Sequence, residues 1–351
     1  MKHGGDTYQK NIRYDFSVSL NPFVPKERLM KAGVRALNDS GRYPDPYQRR
    51  IRTLIANDEN VSPENVLAGN GASELLTGVV RYINPKRGLL FVPGYSGYEY
   101  ALDTMGNCEK MFCRTKESNG FLPDLSDLKK ALSEGNKPEM MFLCDPWNPS
   151  GKLFSKEERN TFLKRADAEG IWVVLDLSFE LPGKETESAA NVSEIIKRYP
   201  RTVVLKSYTK FLSLPGVRMG YIVAQNDTVS GIRDVLPEWN LSVPAEYILE
   251  EGLKLSKDEE YLSRLRSRIQ EERNYLTTEL TGLGMKVFDS DSCFIYFKAE
   301  EEIAARLSKM GIWIREYDYA EYPEGFYYRI GIKEHEANAY LTDCLKKMKQ
   351  E

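Results

Sequence analysis

The chain has 351 residues, of which 41% are hydrophobic and 29% are charged, and its formal net charge is −3. This length suits a large α/β domain with a smaller partner domain and allows a sizeable core. Because charges nearly balance and no long basic block occurs, nothing favours nucleic acid or anionic membranes as partners, and we expect a small-molecule substrate.

Residues 1–39 are predicted to form an extended arm that packs with the smaller domain. They contain few helix signals, and turn-forming Asn-Pro and Tyr-Pro-Asp-Pro sequences lie at residues 21–22 and 43–46. The opening residues show no apolar signal region, and the longest apolar stretch, residues 171–175, is far shorter than the ~18 residues that cross a bilayer. We therefore expect a cytoplasmic protein.

Residues 40–240 are predicted to form the large domain. Short apolar segments alternate there with amphipathic ones, which indicates a mostly parallel sheet sandwiched by helices. The strand candidates are residues 66–68, 88–92, 140–144, 171–176, 202–205 and 218–223.

Residues 241–351 are predicted to form a smaller α+β domain. A long charged helical segment runs from residue 244 to about residue 283, and strand, helix and strand signals follow at residues 294–297, 303–310 and 312–314.

Histidine and cysteine usage restricts the possible chemistry. The only histidines are His3 and His335, which excludes a three-histidine metal site, and no metal ligand set is predicted. The five cysteines are scattered and form no CxxC pair, so we interpret them as reduced thiols. A lysine, a carboxylate or a cofactor must therefore carry the chemistry.

The strongest chemical signal is KSYTKFLSLPGVRMGY at residues 206–221. Lys210 follows an apolar strand, with Ser207 shortly before it and Arg218 after an intervening Pro-Gly turn. Arginine supplies the permanent charge that a phosphate needs, and a lysine near other cations loses its proton more easily, which leaves an amine that attacks aldehydes. This segment resembles the lysine motif of fold-type-I pyridoxal 5′-phosphate (PLP) enzymes, the aminotransferase fold. The resemblance implies that Lys210 forms the Schiff base and that Ser207 and Arg218 bind the cofactor phosphate.

Asp176 ends an apolar strand, where a carboxylate points into the ligand crevice of an open α/β sheet. PLP needs an anion at its pyridine nitrogen, so Asp176 is the candidate; a helix-cap or turn aspartate is the alternative.

Backbone N–H groups around Gly71, Ala72 and Ser73 follow a strand and open a helix, so they can cradle a phosphate. Ser73 is equally natural as a helix N-cap.

The same resemblance covers further segments of the large domain. The sequence DPWNPSG at residues 145–151 resembles the family's asparagine loop, which implies that Asn148 bonds the cofactor's 3′ oxygen. Tyr95 corresponds to the aromatic residue that stacks on the cofactor ring, with plain core packing as its alternative. Tyr43 resembles the tyrosine that reaches the neighbouring subunit's cofactor phosphate, which implies a homodimer with shared sites.

Two arginines near the carboxyl end correspond to substrate-binding positions. Arg329, in the sequence YRIGI, resembles the arginine that binds the substrate α-carboxylate. Arg315 lies where relatives that act on phosphorylated substrates keep a second arginine. Either could instead be a solvated strand arginine.

The resemblance extends over residues 3–345 and points to the branch of histidinol-phosphate aminotransferases and threonine-phosphate decarboxylases. The HGGD opening, with His3, and the segment DFSVSLNP, with Asn21, resemble the decarboxylase pattern and imply contacts to the substrate. Phe179 stands where many aminotransferases have a tyrosine, and the decarboxylase pattern tolerates phenylalanine. The alternative interpretation of His3 is a residue of a flexible terminus, as is common at chain ends.

The predicted function is decarboxylation of a small phosphorylated amino acid, such as threonine phosphate, in cobalamin side-chain synthesis. The alternative is amino-group transfer from histidinol phosphate to 2-oxoglutarate, and a distant one is a non-catalytic PLP-binding homologue. The aspartates at 6 and 145 and the sequence DLSF at residues 176–179 depart from the family pattern and leave the substrate open.

Overall fold

The computed structural model describes residues 4–8, 11–133, 137–182, 189–317 and 325–350. The amino-terminal segment contains strand β1 (Tyr14–Asp15) and helix α1 (Lys26–Asp39), and helix α2 (Arg49–Glu59) follows. The expected extended arm is therefore wrong for residues 26–39. The buried positions of α1 are Leu29, Ala32 and Ala36, which share one face of a helix, and the turn sequences on either side outweighed this short pattern in the prediction.

A mostly parallel seven-stranded sheet forms the centre of the molecule. Its strand order is β2-β8-β7-β6-β5-β3-β4, in which only β8 runs antiparallel to its neighbours. In chain order, the elements of this part are β2 (Val66–Gly69), α3 (Ala72–Ile83), β3 (Arg87–Val92), α4 (Ser96–Asp103), β4 (Glu109–Arg114), α5 (Leu125–Ser133), β5 (Met140–Cys144), α6 (Lys156–Ala168), β6 (Trp172–Asp176), α7 (Val192–Arg198), β7 (Thr202–Lys206), α8 (Tyr208–Phe211), β8 (Gly220–Val223) and α9 (Asn226–Asp234).

The predicted α/β architecture is confirmed, because central strands such as β5 are apolar and buried along their whole length, as parallel strands between helices must be. The strand predicted from residue 218 begins two residues later, at Gly220, because Arg218 adopts a left-handed backbone conformation with φ of +60°.

The carboxyl-terminal part contains a second, antiparallel sheet of order β12-β13-β10-β9, and the described residues contain no helix long and apolar enough to cross a membrane. Its elements are α10 (Val243–Leu255), α11 (Glu259–Gly282), β9 (Lys286–Val287), β10 (Phe294–Ala299), α12 (Ala304–Lys309), β11 (Ile312–Trp313), β12 (Arg315–Tyr317), β13 (Phe326–Gly331) and α13 (His335–Gln350).

Two features of this part differ from the prediction. The expected single helical segment is divided into α10 and α11, because Asp258 caps a new helix by accepting a hydrogen bond from Tyr261 N. The strand expected at residues 312–314 is β11, which ends at Trp313 and pairs with β1 of the amino-terminal segment. Strand β12 follows it in a different sheet and was not predicted. The domain division after residues 39 and 240 stays a prediction.

Candidate active site

The carboxyl ends of β5, β6 and β7 meet at one edge of the large sheet, where parallel α/β sheets bind ligands. A cavity of about 220 Å³ lies there, between the large sheet, the amino-terminal segment and strands β12 and β13. Predicted site residues that line it are Ala72, Ser73, Tyr95, Asn148, Asp176, Ser207, Lys210, Arg218, Arg315 and Arg329.

Lys210 lies on the short helix α8, directly after β7, and its ammonium is 5.5 Å from the centroid of the Phe179 ring. The pKa of Lys210 is lowered from 10.5 to about 8, chiefly by burial and in addition by the positive charge of Arg329, whereas the Asp176 carboxylate opposes the shift. A lysine in this position has a substantial fraction of free amine near neutral pH, which is the form that attacks an aldehyde.

Asp176 ends β6 and is buried at the base of the cavity. Its carboxylate accepts hydrogen bonds from Tyr98 Oη at 2.7 Å and from Ser178 N at 2.9 Å. Burial raises the pKa of Asp176 above its usual range, although these hydrogen bonds oppose the rise. A cation beside this carboxylate would offset the burial penalty, which fits a protonated pyridine ring. The sequence analysis did not identify Tyr98.

The turn before α3 has the form of an anion cradle. Helix α3 begins at Ala72 after Gly71, which has φ of +81° and provides no side-chain cap. A Cβ atom on Gly71 would lie 2.6 Å from Arg218 Nη2, so only glycine allows this guanidinium to approach the helix. Ser73 is therefore not the N-cap. The N–H groups and the adjacent Arg218 together suit a phosphate.

Three polar side chains form a hydrogen-bond network that supports this turn, and no motif in the sequence marks them. Glu74 accepts hydrogen bonds from Asn70 N and from Asn240 Nδ2, both at 2.8 Å. Gln48 Nε2 donates to Asn240 Oδ1 at 2.8 Å, and its Oε1 accepts from Ala68 N at 3.0 Å.

Arg329 is held on several sides. Its Nη1 donates to Asn148 Oδ1 at 2.7 Å and its Nη2 to the carbonyl of Ser17 at 3.4 Å, and its guanidinium lies 5.1 Å from the Phe294 ring centroid and 5.9 Å from that of Phe179. Arg329 Nε and Arg315 Nη1 are buried and have no hydrogen-bond partner among the described residues. Buried donors without a partner are rare in folded proteins, and an ion or ligand that binds beside them is one explanation.

Tyr95 directly precedes α4 and lines the cavity, with its ring edge-on to Tyr98 at 5.2 Å between centroids. It remains 37% exposed, which is more than core packing would leave. Tyr43 does not line the cavity: it is 78% exposed, and its ring is 5.0 Å from that of Trp239.

The amino-terminal segment reaches the cavity through Gly4 and Ser17, but His3 lies outside the described residues. Asn21 does not line the cavity. Its side chain donates to Phe211 O and to Tyr261 Oη, both at 2.9 Å, and its backbone N–H donates to Lys210 O. The structure therefore places Asn21 behind Lys210, where it supports the lysine's backbone.

This constellation defines a class of protein. A buried lysine of lowered pKa, a carboxylate opposite it and an anion cradle at a helix N-terminus, all at the carboxyl edge of an α/β sheet, are the features of a fold-type-I PLP enzyme.

The chain belongs to the aminotransferase class I and II family, whose model matches residues 14–343, and PLP is the cofactor of this family. It is 29% identical to the "Putative threonine-phosphate decarboxylase" of Caldanaerobacter subterraneus subsp. tengcongensis, over 100% of this chain and 94% of that protein. It is 27% identical to histidinol-phosphate aminotransferase 2 of Archaeoglobus fulgidus, over 95% and 92%. Among solved structures, the histidinol-phosphate aminotransferase from Clostridium acetobutylicum superposes with a TM-score of 0.83 at 25% identity, over 95% and 98%.

Proposed function

We propose that the chain is a PLP-dependent decarboxylase of a small phosphorylated amino acid, with L-threonine phosphate as the expected substrate and cobalamin side-chain synthesis as the expected context. The observation that carries this proposal is the pair of arginines in one cavity with Lys210, each with a buried N–H donor that has no hydrogen-bond partner within the described part of the chain. A phosphorylated amino acid has two anionic groups for these two guanidinium ions. The name of the Caldanaerobacter relative supports the same substrate class.

We further propose individual roles for the residues of the cavity. Lys210 would bond to the cofactor aldehyde, and Asp176 would hold the ring nitrogen. Gly71, Ala72, Ser73, Ser207 and Arg218 would hold the cofactor phosphate. Asn148 would hold the 3′ oxygen, and Tyr95 would cover the ring face. When bound, PLP supplies a conjugated ring that accepts the electron pair of a bond broken at the substrate α-carbon.

The choice between reactions would depend on which bond of the substrate α-carbon the protein aligns for cleavage. Arg329 is the proposed carboxylate ligand, and its guanidinium is fixed by Asn148, by the carbonyl of Ser17 and by two aromatic rings. A guanidinium held so firmly would fix the direction of the substrate carboxylate, and this is how the protein would favour loss of CO2. Lys210 Nζ then holds the proton that replaces the carboxylate on the α-carbon.

Amino-group transfer from histidinol phosphate to 2-oxoglutarate is the second candidate. Arg315 would serve the phosphate of that substrate equally well, and the relatives from Archaeoglobus and Clostridium bear the corresponding name. Histidinol phosphate has no carboxylate, so in that reaction Arg329 would be needed only for the 2-oxoglutarate half. Substitution of Arg329 should then spare the first half-reaction.

The test combines spectra with product analysis. We expect purified protein with PLP to show an absorbance band near 410–430 nm that is lost in Lys210→Ala, and to release CO2 from L-threonine phosphate with formation of an amino alcohol phosphate. Glutamate formation from histidinol phosphate and 2-oxoglutarate, without CO2 release, would establish the second candidate. A band without either product would leave the distant alternative of a non-catalytic PLP-binding protein.

We also propose a cytoplasmic homodimer in which Tyr43 reaches the partner's cofactor phosphate. The exposure of Tyr43, and of Trp239 beside it, supports a partner on this surface. Light scattering should give the mass of a dimer, and Tyr43→Ala should weaken PLP binding. A monomer with normal PLP affinity would contradict this proposal.

A further inference from the structure

Two donors meet on one atom of Asn148. Tyr317 Oη donates to Asn148 Oδ1 at 3.1 Å, and Arg329 Nη1 donates to the same oxygen at 2.7 Å. Because arginine can only donate, the atom that it contacts must be the amide oxygen, which settles which way the amide points. Asn148 is only 4% exposed and lines the cavity, so its amide nitrogen is the part of the group left to face a ligand.

Tyr317 is itself held in place. Its ring packs edge-on against Tyr296, with 5.4 Å between centroids, and Tyr296 belongs to an aromatic cluster made with Phe121, Phe288 and Tyr327. The four residues of this cluster are buried, and Tyr317 packs against them. A ring anchored in this way loses little additional freedom when its hydroxyl makes a hydrogen bond.

The same ring also borders the second arginine. The guanidinium carbon of Arg315 is 5.5 Å from the centroid of the Tyr317 ring, within the range of a cation–π interaction. In the pairing of β12 with β13, Arg315 stands opposite Arg329 and Tyr317 opposite Tyr327. This register places Arg315, Arg329 and the hydroxyl of Tyr317 on the cavity side of the two strands.

Phe179 makes the orientation of Asn148 more important. Its ring lies 5.5 Å from Lys210 Nζ and 5.9 Å from the Arg329 guanidinium, and it contributes no hydroxyl to the cavity. A ring oxygen of the cofactor on this side cannot receive a hydrogen bond from Phe179, so the amide N–H of Asn148 carries more of its stabilisation.

We propose that Tyr317 is a positioning residue that holds the amide of Asn148 with its N–H groups towards the cofactor's ring oxygen and supports the guanidinium of Arg315. This inference rests on the proposed function, because it takes the cavity to be the PLP site. It adds a residue that acts through Asn148 and does not itself touch the reacting atoms.

The test compares Tyr317→Phe with Tyr327→Phe in the PLP-loaded protein. Tyr327 belongs to the same aromatic cluster and donates to Glu117, away from Asn148, so it controls for loss of a hydroxyl from the cluster. Visible absorbance is titrated with pH. A misaligned amide would stabilise the ionised ring oxygen of the cofactor less. Tyr317→Phe should therefore move the midpoint of the absorbance titration upward by about 0.4 to 1 pH unit, the size of one lost hydrogen bond. Tyr327→Phe should leave it unchanged.

Two further measurements test whether Tyr317 acts through Asn148. In an Asn148→Ala background, Tyr317→Phe should shift the midpoint no further, because the two residues act in series. Incorporation of 3-fluorotyrosine at position 317, whose hydroxyl is a stronger donor, should lower the midpoint, and this replacement keeps the ring and hence the fold. An equal effect of Tyr327→Phe, or a Tyr317→Phe shift that persists without Asn148, would overturn the inference. Absence of the absorbance band in unsubstituted protein would instead refute the PLP site.

Discussion

The lowered pKa of Lys210 leads to a test that needs no cofactor. With a pKa of about 8 in place of 10.5, about one tenth of Lys210 is free amine at pH 7, against roughly one part in 3,000 for an ordinary lysine, a difference of about 300-fold. Competitive acetylation of the apoprotein from pH 6 to 11, followed by mass spectrometry, reads this fraction directly. The exposed Lys156 in the same sample serves as the internal reference.

A substitution separates the electrostatic cause of the shift from burial. Since the charge of Arg329 adds to burial in lowering the pKa of Lys210, Arg329→Met should raise the labelling midpoint. Arg315→Met removes another cavity arginine and serves as the matched control. A midpoint near 10 in unsubstituted protein would refute the burial argument, and an unchanged midpoint in Arg329→Met would refute the electrostatic one.

Three other substitutions test separate parts of the site. Asp176→Asn should lower turnover by about 10- to 150-fold, the value of one charged hydrogen bond, with PLP still bound; full activity would exclude the ring-nitrogen contact. Arg218→Gln should weaken PLP binding by a similar factor in fluorescence titrations but leave pyridoxal, which lacks the phosphate, unaffected. Arg159→Leu leaves the buried Asp145 carboxylate without its ion-pair partner at 2.6 Å, so urea unfolding should show a loss of about 3–5 kcal/mol, which shrinks on acidification as the carboxylate takes up a proton.

Much of the fold can be predicted from the sequence, because strands buried between helices must be apolar along their whole length. The strand predicted at residues 140–144 is β5 as observed, and the strand before Asp176 ends where predicted. The cofactor motif can also be predicted, because its residues are close together in the sequence. Lys210 and Arg218 lie on one short segment, so their spacing along the chain already limits their separation in space.

The tertiary structure alone decided which side chains hold these groups in place. Tyr98 reaches Asp176 across 78 residues of sequence, and Tyr317 reaches Asn148 across 169. A tyrosine that donates such a hydrogen bond belongs to no sequence pattern, because any tyrosine that the fold brings close enough can make the contact. Asn21 shows the converse: its motif suggested a substrate contact, but the fold places its amide outside the cavity, where it bonds to Phe211 O, to Tyr261 Oη and to Phe23 N.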